Sequence, residues 1–148
     1  MSTSGKPASA ALFFNVWIAA CYPDHPHHDI ARRWIDDADE DLAFCRVTEM
    51  GALRHLSHPA VVGTSATTRS GAWDVVLALQ ADPRVRFLQE PAGLAPLWMA
   101  YSKRDDRSHH LWTDDYLAAF AQAGDLELVT LDKRMPARYP AVRVQVIR

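Results

Sequence analysis

The segment at residues 113–132 constrains the fold most, because it joins a helix, a turn and a buried strand without interruption. Thr113 predicts the N-cap of the helix, and Asp114 and Asp115 follow in the first turn, where the helix dipole favours negative charge. An alanine-rich run continues the helix, and Gly124 is placed to end it at the C′ position. The segment therefore predicts one helix with two acidic residues at its start.

A strand follows this helix after a short turn. Residues 126–131 alternate in polarity and carry enough β-branched character to predict a buried strand, and Asp132 comes directly after it. In a parallel α/β sheet, helices begin near the edge at which strands end, because each crossover connection returns the chain. Asp114 and Asp132 are therefore expected on the same edge of a sheet, where such folds place their chemistry.

Strands and helices alternate through the rest of the chain. Apolar runs predict further strands, and helical spacing predicts further helices, at residues 11–16 (strand), 17–21 (short helical turn), 29–39 (helix), 42–47 (strand), 48 to near 59 (helix), 72–81 (helix), 85–88 (strand), 94–101 (helix) and 142–147 (strand). This alternation predicts an α/β fold with a mainly parallel central sheet of about five strands, flanked by helices. We expect a single domain over residues 11–148, preceded by a flexible N-terminal segment at residues 1–10.

The composition excludes several classes of protein. A formal net charge of −2 does not provide a broad basic surface, so any nucleic-acid binding is expected to use local arginine patches. The two cysteines, Cys21 and Cys45, lie in apolar settings and do not form a disulfide framework, which favours a reducing compartment. No signal peptide or membrane segment is expected, and we place the protein in the cytoplasm.

Three acidic residues are candidates for a metal site. The predicted second strand ends at Val47, and Glu49 opens the next helix, so Glu49 is expected on the same edge as Asp114 and Asp132. Mg²⁺ prefers hard oxygen ligands and keeps open positions for water and phosphate, which three carboxylates on one rim would allow. For any one of these acids alone, the alternative is that it complements a helix dipole.

The same residues carry a resemblance to a known family. The pattern T-D-x-Y-L-A-A-x-A at residues 113–121, followed by L-V-T-L-D at residues 128–132, resembles the PIN domain, specifically the VapC-like toxin ribonucleases. The resemblance extends from about Leu12 onward. It implies the toxin of a type II toxin–antitoxin system, a Mg²⁺-dependent endoribonuclease that accepts Mn²⁺ as a substitute. It also implies a cellular RNA substrate such as tRNA or rRNA, a small cognate antitoxin, and a homodimer.

The first predicted strand departs from the family pattern. That pattern resembles D-x-N-V-x-[IL]-A, and Asn15, Val16 and Ala19 match it, which places Phe13 at the position of the first catalytic aspartate. A phenylalanine cannot ligate a metal ion. We therefore expect the chain to cleave RNA poorly or not at all.

Three further residues receive supporting roles from the resemblance. Asn15 would help to position the carboxylates, although it could equally cap a turn at the strand end. Arg54 lies in a T-E-x-x-x-L-R run and could face phosphate, or could be solvated. Asp115 points about 100° around the helix from Asp114 and is either a dipole partner or an auxiliary ligand.

Two other interpretations remain open. A degenerate PIN domain would keep the fold and bind an antitoxin or RNA without cutting, and Phe13 is the residue that separates this alternative from an active nuclease. An unrelated α/β binding protein would use all of these acids as helix caps. Under the leading interpretation the catalytic and metal-binding residues are Glu49, Asp114 and Asp132.

Overall fold

The structure, a computed structural model, describes residues 11–13, 15–39, 41–63 and 66–148. The segment that we predicted to be flexible, residues 1–10, lies outside the described residues. The described strands are β1 (Ala11–Phe13), β2 (Leu42–Phe44), β3 (Val85–Phe87), β4 (Glu127–Thr130) and β5 (Val144–Val146). The described helices are α1 (Val16–Cys21), α2 (His28–Asp37), α3 (Arg46–Leu56), α4 (Pro59–Val62), α5 (Arg69–Gln80), α6 (Leu94–Ser102), α7 (Leu111–Ala123) and α8 (Met135–Arg138).

The five strands form one sheet in the order β3-β2-β1-β4-β5, and all four neighbouring pairs are parallel. The predicted α/β class and the parallel sheet of about five strands are confirmed. The chain leaves β1 for β2 on one side and later reaches β4 on the other side, so β1 lies where the strand order reverses. Ligands of open α/β sheets bind outside the carboxyl ends of the strands at such a point.

The core lies in two layers, one on each face of the sheet. Successive strand residues point to opposite faces, so Ala11 packs in one layer and Leu12 in the other. In the first layer the Trp17 ring of α1 stacks on Phe44 of β2, with ring centroids 4.5 Å apart. In the second layer Phe120 of α7 is fully buried against the other face. Helices therefore cover both faces, as the strand–helix alternation predicted.

Helix α7 begins earlier than its sequence predicts. Its N-cap is His110, so Thr113 lies inside the helix and does not cap it. The extra turn packs on α6, where the Trp98 indole N–H donates to the backbone oxygen of Trp112 at 3.2 Å. Tertiary packing thus extends the helix beyond the point that local capping chemistry indicated.

Gly124 ends α7 as predicted, but for a different reason. Its φ is −90°, and the left-handed conformation falls on Asp125, whose φ is 53°. A Cβ atom at residue 124 would lie 3.1 Å from the backbone oxygen of Phe120 and 3.3 Å from the Leu126 side chain. The glycine therefore permits a close approach of the chain, and the backbone turn occurs one residue later.

Helix α3 also begins earlier than predicted. We expected Thr48 to cap it, whereas Cys45 is the N-cap and Thr48 Oγ1 accepts the Cys45 backbone N–H at 2.9 Å. Both cysteines are free thiols, and burial raises the pKa of Cys21 to about 11, against a smaller lowering by Arg32. Within the described ranges no helix is long and apolar enough to cross a membrane.

Candidate functional site

Asp114 and Asp132 lie near each other, each with an arginine partner. Asp114 is in the first turn of α7, and Arg138 of α8 donates from Nη1 to its Oδ2 at 3.1 Å. Asp132 follows β4, and its Oδ1 accepts from the backbone N–H of Arg134 at 2.9 Å and from Arg134 Nε at 3.1 Å. The carboxylates keep 15% and 21% of their side-chain surface exposed, so both remain reachable by a ligand.

The environment raises the pKa of Asp114. Burial is the largest cause, and the negative charges of Asp132 and Asp115 raise the pKa further, whereas the positive charges of Arg138 and Arg134 lower it. The charge of Asp132 acts on Asp114, so the two carboxylates lie near each other. When burial and nearby negative charges raise the pKa of a carboxyl group, a cation bound beside it stabilises the ionised form.

The pKa of Asp132 shifts in the opposite direction. Burial is the largest single influence and raises it, but the backbone and side-chain hydrogen bonds from Arg134, with the charges of Arg134 and Arg138, outweigh burial. The pKa of Asp132 is therefore lowered. The two acids therefore titrate in different pH ranges, and Asp132 stays ionised at pH values where Asp114 begins to protonate.

Asn15 connects the start of α1 to the end of β4. It adopts the left-handed conformation with φ 57°, and its Oδ1 accepts the backbone N–H of Leu131 at 3.1 Å. Leu131 directly precedes Asp132, so this contact fixes the backbone that carries the carboxylate. The geometry is compatible with the supporting role predicted for Asn15.

Glu49 does not join the pair. It is only 4% exposed, and its two oxygens accept from Arg46 Nη1 at 2.5 Å and from Gln80 Nε2 at 2.7 Å. Over the described ranges, no three His, Cys, Asp or Glu side chains are grouped so that they could hold a metal ion. The expected cluster of three carboxylates is therefore not present there. The sequence indicated the edge of the sheet, but the helical face that Glu49 occupies depends on where α3 starts, at 100° per residue.

Phe13 ends β1, and its backbone pairs in register with Val129 of β4. Phe13 thus lies at the carboxyl end of the central strand, and its partner Val129 precedes Asp132 by three residues. The Phe13 side chain lies outside the described part of the structure.

A groove of about 690 Å³ extends from Asp114 across α3 and α5. Its walls include two arginines, Arg54 and Arg69, and two exposed apolar side chains, Met50 and Trp73. Arg54 therefore lies on the same surface as Asp114, where a guanidinium could meet a phosphate. The arrangement suits a ligand that is both anionic and partly apolar.

Asp115 faces away from the groove. It is buried, and the Tyr139 hydroxyl donates to its Oδ1. It lines a second, smaller pocket on the other side of Arg138. Asp115 is thus neither an exposed dipole partner nor in the same groove as Asp114.

Sequence reasoning missed the cations and amides that hold these acids: Arg46, Gln80, Arg134 and Arg138. Arg46 and Arg134 lie within three residues of the acids they bind, and this spacing was a usable signal. Arg138 and Gln80 bind across 24 and 31 residues, respectively, and no local pattern indicates such contacts.

Two of the three predicted metal ligands suit a divalent cation. Mg²⁺ is commonly bound by one or two carboxylates, with water and substrate phosphate completing its shell. Asp114 and Asp132 provide two partly exposed carboxylates, and the pKa of Asp114 is raised by burial and, to a smaller extent, by the charge of Asp132. Glu49 does not suit the ion as it stands, because both of its oxygens are already hydrogen-bonded.

An α/β domain with two carboxylates at the carboxyl edge of a parallel sheet is thus defined by fold and geometry. The family profile for the PIN domain matches residues 15–140. The chain is 37% identical over 124 residues to Ribonuclease VapC41 of Mycobacterium tuberculosis, covering 80% of this chain and 85% of the relative. It is 31% identical over 132 residues to Ribonuclease VapC29 of the same organism, covering 89% of this chain and 92% of that relative. The chain therefore belongs to the PIN-domain family and is homologous to VapC ribonucleases.

Solved structures share this fold at low sequence identity. Mycobacterium tuberculosis VapC20, described as a sarcin–ricin loop cleaving toxin, matches with a TM-score of 0.70 at 16% identity, covering 95% of this chain and all of that one. VapBC2 from Rickettsia felis, bound to a DNA fragment from its promoter, matches with a TM-score of 0.69 at 12% identity. The match covers 94% of this chain and 99% of that one. At these identities the matches establish the fold alone.

Proposed function

We propose that this chain is the toxin of a type II toxin–antitoxin system and acts as a Mg²⁺-dependent endoribonuclease. The observation that carries the proposal is the pair formed by Asp114 and Asp132 beside the central strand of a PIN domain, with the pKa of Asp114 raised by burial and by its acidic neighbours. The homologous relatives are named ribonucleases, which supports the reaction class.

Asp114 and Asp132 would hold Mg²⁺, or Mn²⁺ as a substitute, and Glu49 would complete the site if Gln80 released it. The bound ion would activate water and neutralise charge on the phosphodiester. The chain's own residues have separate tasks: Asn15 fixes the backbone before Asp132, and Arg54 lies where it could bind a phosphate of the substrate.

The substrate we propose is structured cellular RNA, tRNA or rRNA. The description of VapC20 as a sarcin–ricin loop cleaving toxin supports an rRNA target. The partner we propose is a small antitoxin, since the structural neighbours include VapBC assemblies from Rickettsia felis and Haemophilus influenzae. We also propose a homodimer that works in the cytoplasm.

Cleavage of an RNA panel tests the proposal. The purified chain is incubated with tRNA and rRNA fragments in Mg²⁺, with and without EDTA, beside Asp114→Asn and a matched control, Asp74→Asn. Asp74 is an exposed acid on α5. We expect weak cleavage by the chain and by the control, and none by Asp114→Asn or in EDTA. Equal cleavage by Asp114→Asn would exclude that residue from the site.

Two observations favour a second function, a PIN domain that binds antitoxin or RNA without cutting. The predicted alignment with the family pattern assigns Phe13 to the position of the first acid, and the oxygens of Glu49 accept hydrogen bonds from Arg46 and Gln80. This alternative predicts that RNA is retained intact by the chain in gel-shift experiments, with no metal-dependent product at any protein concentration.

A further inference from the structure

A second pocket adjoins the acidic pair on the neighbouring face of α7. It has a volume of about 280 Å³, and it is built from the end of α6, the start of α7 and the end of α8. Its lining includes Tyr101, Ser102, Trp112, Asp115, Arg138 and Tyr139. Ligand pockets for whole small molecules usually occupy about 300–1,000 Å³, so this one suits a fragment the size of a single base.

Arg138 joins this pocket to the acidic pair. Its guanidinium lines the pocket and also donates to Asp114 at 3.1 Å. A group seated in the pocket would therefore lie next to the phosphodiester that Asp114 and Asp132 would process. The pocket is a subsite of the same surface and not an independent site.

Three aromatic side chains line the pocket: Trp112, Tyr101 and Tyr139. Trp112 is 55% exposed, although it lies in a helix with many buried residues. The Tyr101 and Tyr139 rings meet edge to face, 5.2 Å apart, and the Tyr101 hydroxyl donates to Gln122 at 2.5 Å. Exposed indole rings are the surface on which single-stranded bases stack, whatever their sequence.

Asp115 supplies a polar group inside the pocket. It is 7% exposed, and its Oδ1 accepts from the Tyr139 hydroxyl, which orients the carboxylate. The hydrogen bonds of the described residues include none to its Oδ2, and this oxygen is not among the solvent-excluded atoms without a partner, so it is open to the pocket. A carboxylate oxygen open to the pocket can accept a hydrogen bond from a ligand that donates.

Among the four RNA bases, guanine matches this carboxylate best. Its Watson–Crick edge presents two adjacent N–H donors, at N1 and N2, whereas each of the other bases presents one donor group there. Proteins read single-stranded RNA by stacking a base on an aromatic ring and by hydrogen-bonding its edge. Trp112 and Asp115 provide both elements on one turn of α7.

We infer that this pocket binds a guanine base next to the scissile phosphate, with Trp112 as the stacking wall and Asp115 as the residue that selects guanine. The inference rests on the proposed RNA substrate. Asp115 acts here as a specificity residue, and Arg138 links the base pocket to the acidic pair.

Mononucleotide binding tests the pocket without requiring catalysis. GMP, AMP, CMP and UMP are titrated onto the full chain and followed by NMR. We expect GMP to bind about tenfold more tightly than the others, a preference within the range of one well-placed base contact. Asp115→Asn should remove the preference, and Asp74→Asn should keep it. Equal binding of all four nucleotides to the unaltered chain would overturn the inference.

Two further variants separate base recognition from a structural role. Trp112→Ala should weaken the binding of all four nucleotides by about tenfold, because stacking does not depend on base identity. Trp112→Phe keeps an aromatic ring and should retain most of the binding. Tyr139→Phe keeps the walls but removes the hydrogen bond to Asp115. If Tyr139→Phe and Asp115→Asn lower thermal stability alike while both keep the guanine preference, Asp115 is only a structural partner of Tyr139 and the inference is wrong.

Cleavage mapping distinguishes this inference from the proposed function. If the chain cuts RNA next to guanine and the Asp115→Asn variant cuts it without base preference, the result supports both the guanine pocket and the nuclease. RNA cut without any base preference overturns the guanine pocket and leaves the nuclease intact. Selective GMP binding without any RNA cleavage overturns the nuclease and leaves the pocket intact.

Discussion

Arg138 of α8 holds Asp114 of α7 through a hydrogen bond of 3.1 Å between Nη1 and Oδ2, across 24 residues of sequence. The guanidinium is 28% exposed and the carboxylate 15%, so the pair is only partly shielded from water. Because Asp132 acts on the same carboxylate with the opposite sign, Asp114 lies between a cation that favours its ionised form and an anion that opposes it. Its charge state is thus set by tertiary contacts.

Removal of Arg138 should raise the pKa of Asp114. Burial, its largest influence, already raises this pKa, and Arg138→Gln deletes the main opposing charge. Asp132→Asn should have the reverse effect and lower it. Carboxyl ¹³C shifts recorded against pH in EDTA measure both, with Arg107→Gln as a control at an exposed arginine. If Arg138→Gln leaves the titration of Asp114 unchanged, the two side chains do not interact in solution.

Asp114 and Asp132 should affect acid stability in opposite directions. A carboxyl group with a lowered folded-state pKa stabilises the fold above its unfolded pKa, and this contribution is lost as the pH falls through the folded pKa, which describes Asp132. A raised pKa costs stability when the group is ionised, and the cost begins to fall as the pH drops through the folded pKa and is gone below the unfolded pKa, which describes Asp114.

Substitution of Arg134 tests the first of these two effects. Arg134→Gln removes the side-chain bonds and the charge that lower the pKa of Asp132, so the variant should lose stability at a higher pH than the parent chain does. Urea unfolding at a series of pH values between 2 and 6 measures this shift. Coincident curves for the two proteins would contradict it.

Binding of Mn²⁺ should depend on the two acids of the pair. Asp114→Asn and Asp132→Asn should each weaken binding in calorimetric titrations, because each removes an oxygen ligand that is partly exposed. Glu49→Gln should change it little, since both Glu49 oxygens are hydrogen-bonded. Gln80→Leu releases one of these oxygens and should strengthen binding. A larger loss with Glu49→Gln than with Asp132→Asn would mean that Glu49 turns toward the metal.

Restoration of an acid at residue 13 should restore activity. Phe13 ends the central strand, and Phe13→Asp places a carboxylate where we predict the first acid of the family pattern. We expect tighter Mn²⁺ binding and RNA cleavage faster by about tenfold or more, a change of ~1.4 kcal/mol or more in the barrier. EDTA should abolish the gain. If the parent chain cuts as fast as Phe13→Asp, the remaining acids are sufficient.

Two substitutions at Asn15 separate its hydrogen bond from its backbone conformation. Asn15→Gly keeps the left-handed conformation and loses the bond to Leu131, which should cost about 1 kcal/mol of unfolding free energy. Asn15→Ala loses the bond and also strains the backbone, so we expect a total cost of about 2 kcal/mol. Urea denaturation measures both. Equal stability of the two variants would show that the positive φ carries no cost here.

The local signals that predicted the fold were strong at strand ends and weak at helix starts. The position of Asp132 just after β4 and the parallel order of the strands followed from apolar runs and from the geometry of crossover connections. The starts of α3 and α7 were misplaced by two or three residues. Cys45 and His110 are unconventional caps, so the residue types that usually cap helices did not indicate where these two helices begin.

The α/β sheet, the family and the placement of acids at strand ends and helix starts could be predicted from the sequence, because these features depend on hydrophobic periodicity and on short motifs. Which acids lie together depends on tertiary contacts. Asp114 and Asp132 share a cationic neighbourhood, Glu49 is bound by Gln80, and Asp115 turns to Tyr139. These contacts depend on how each helix is rotated about its axis and on partners that lie 24 or more residues away in the sequence. A single residue of helix shift changes the direction of a side chain by about 100°.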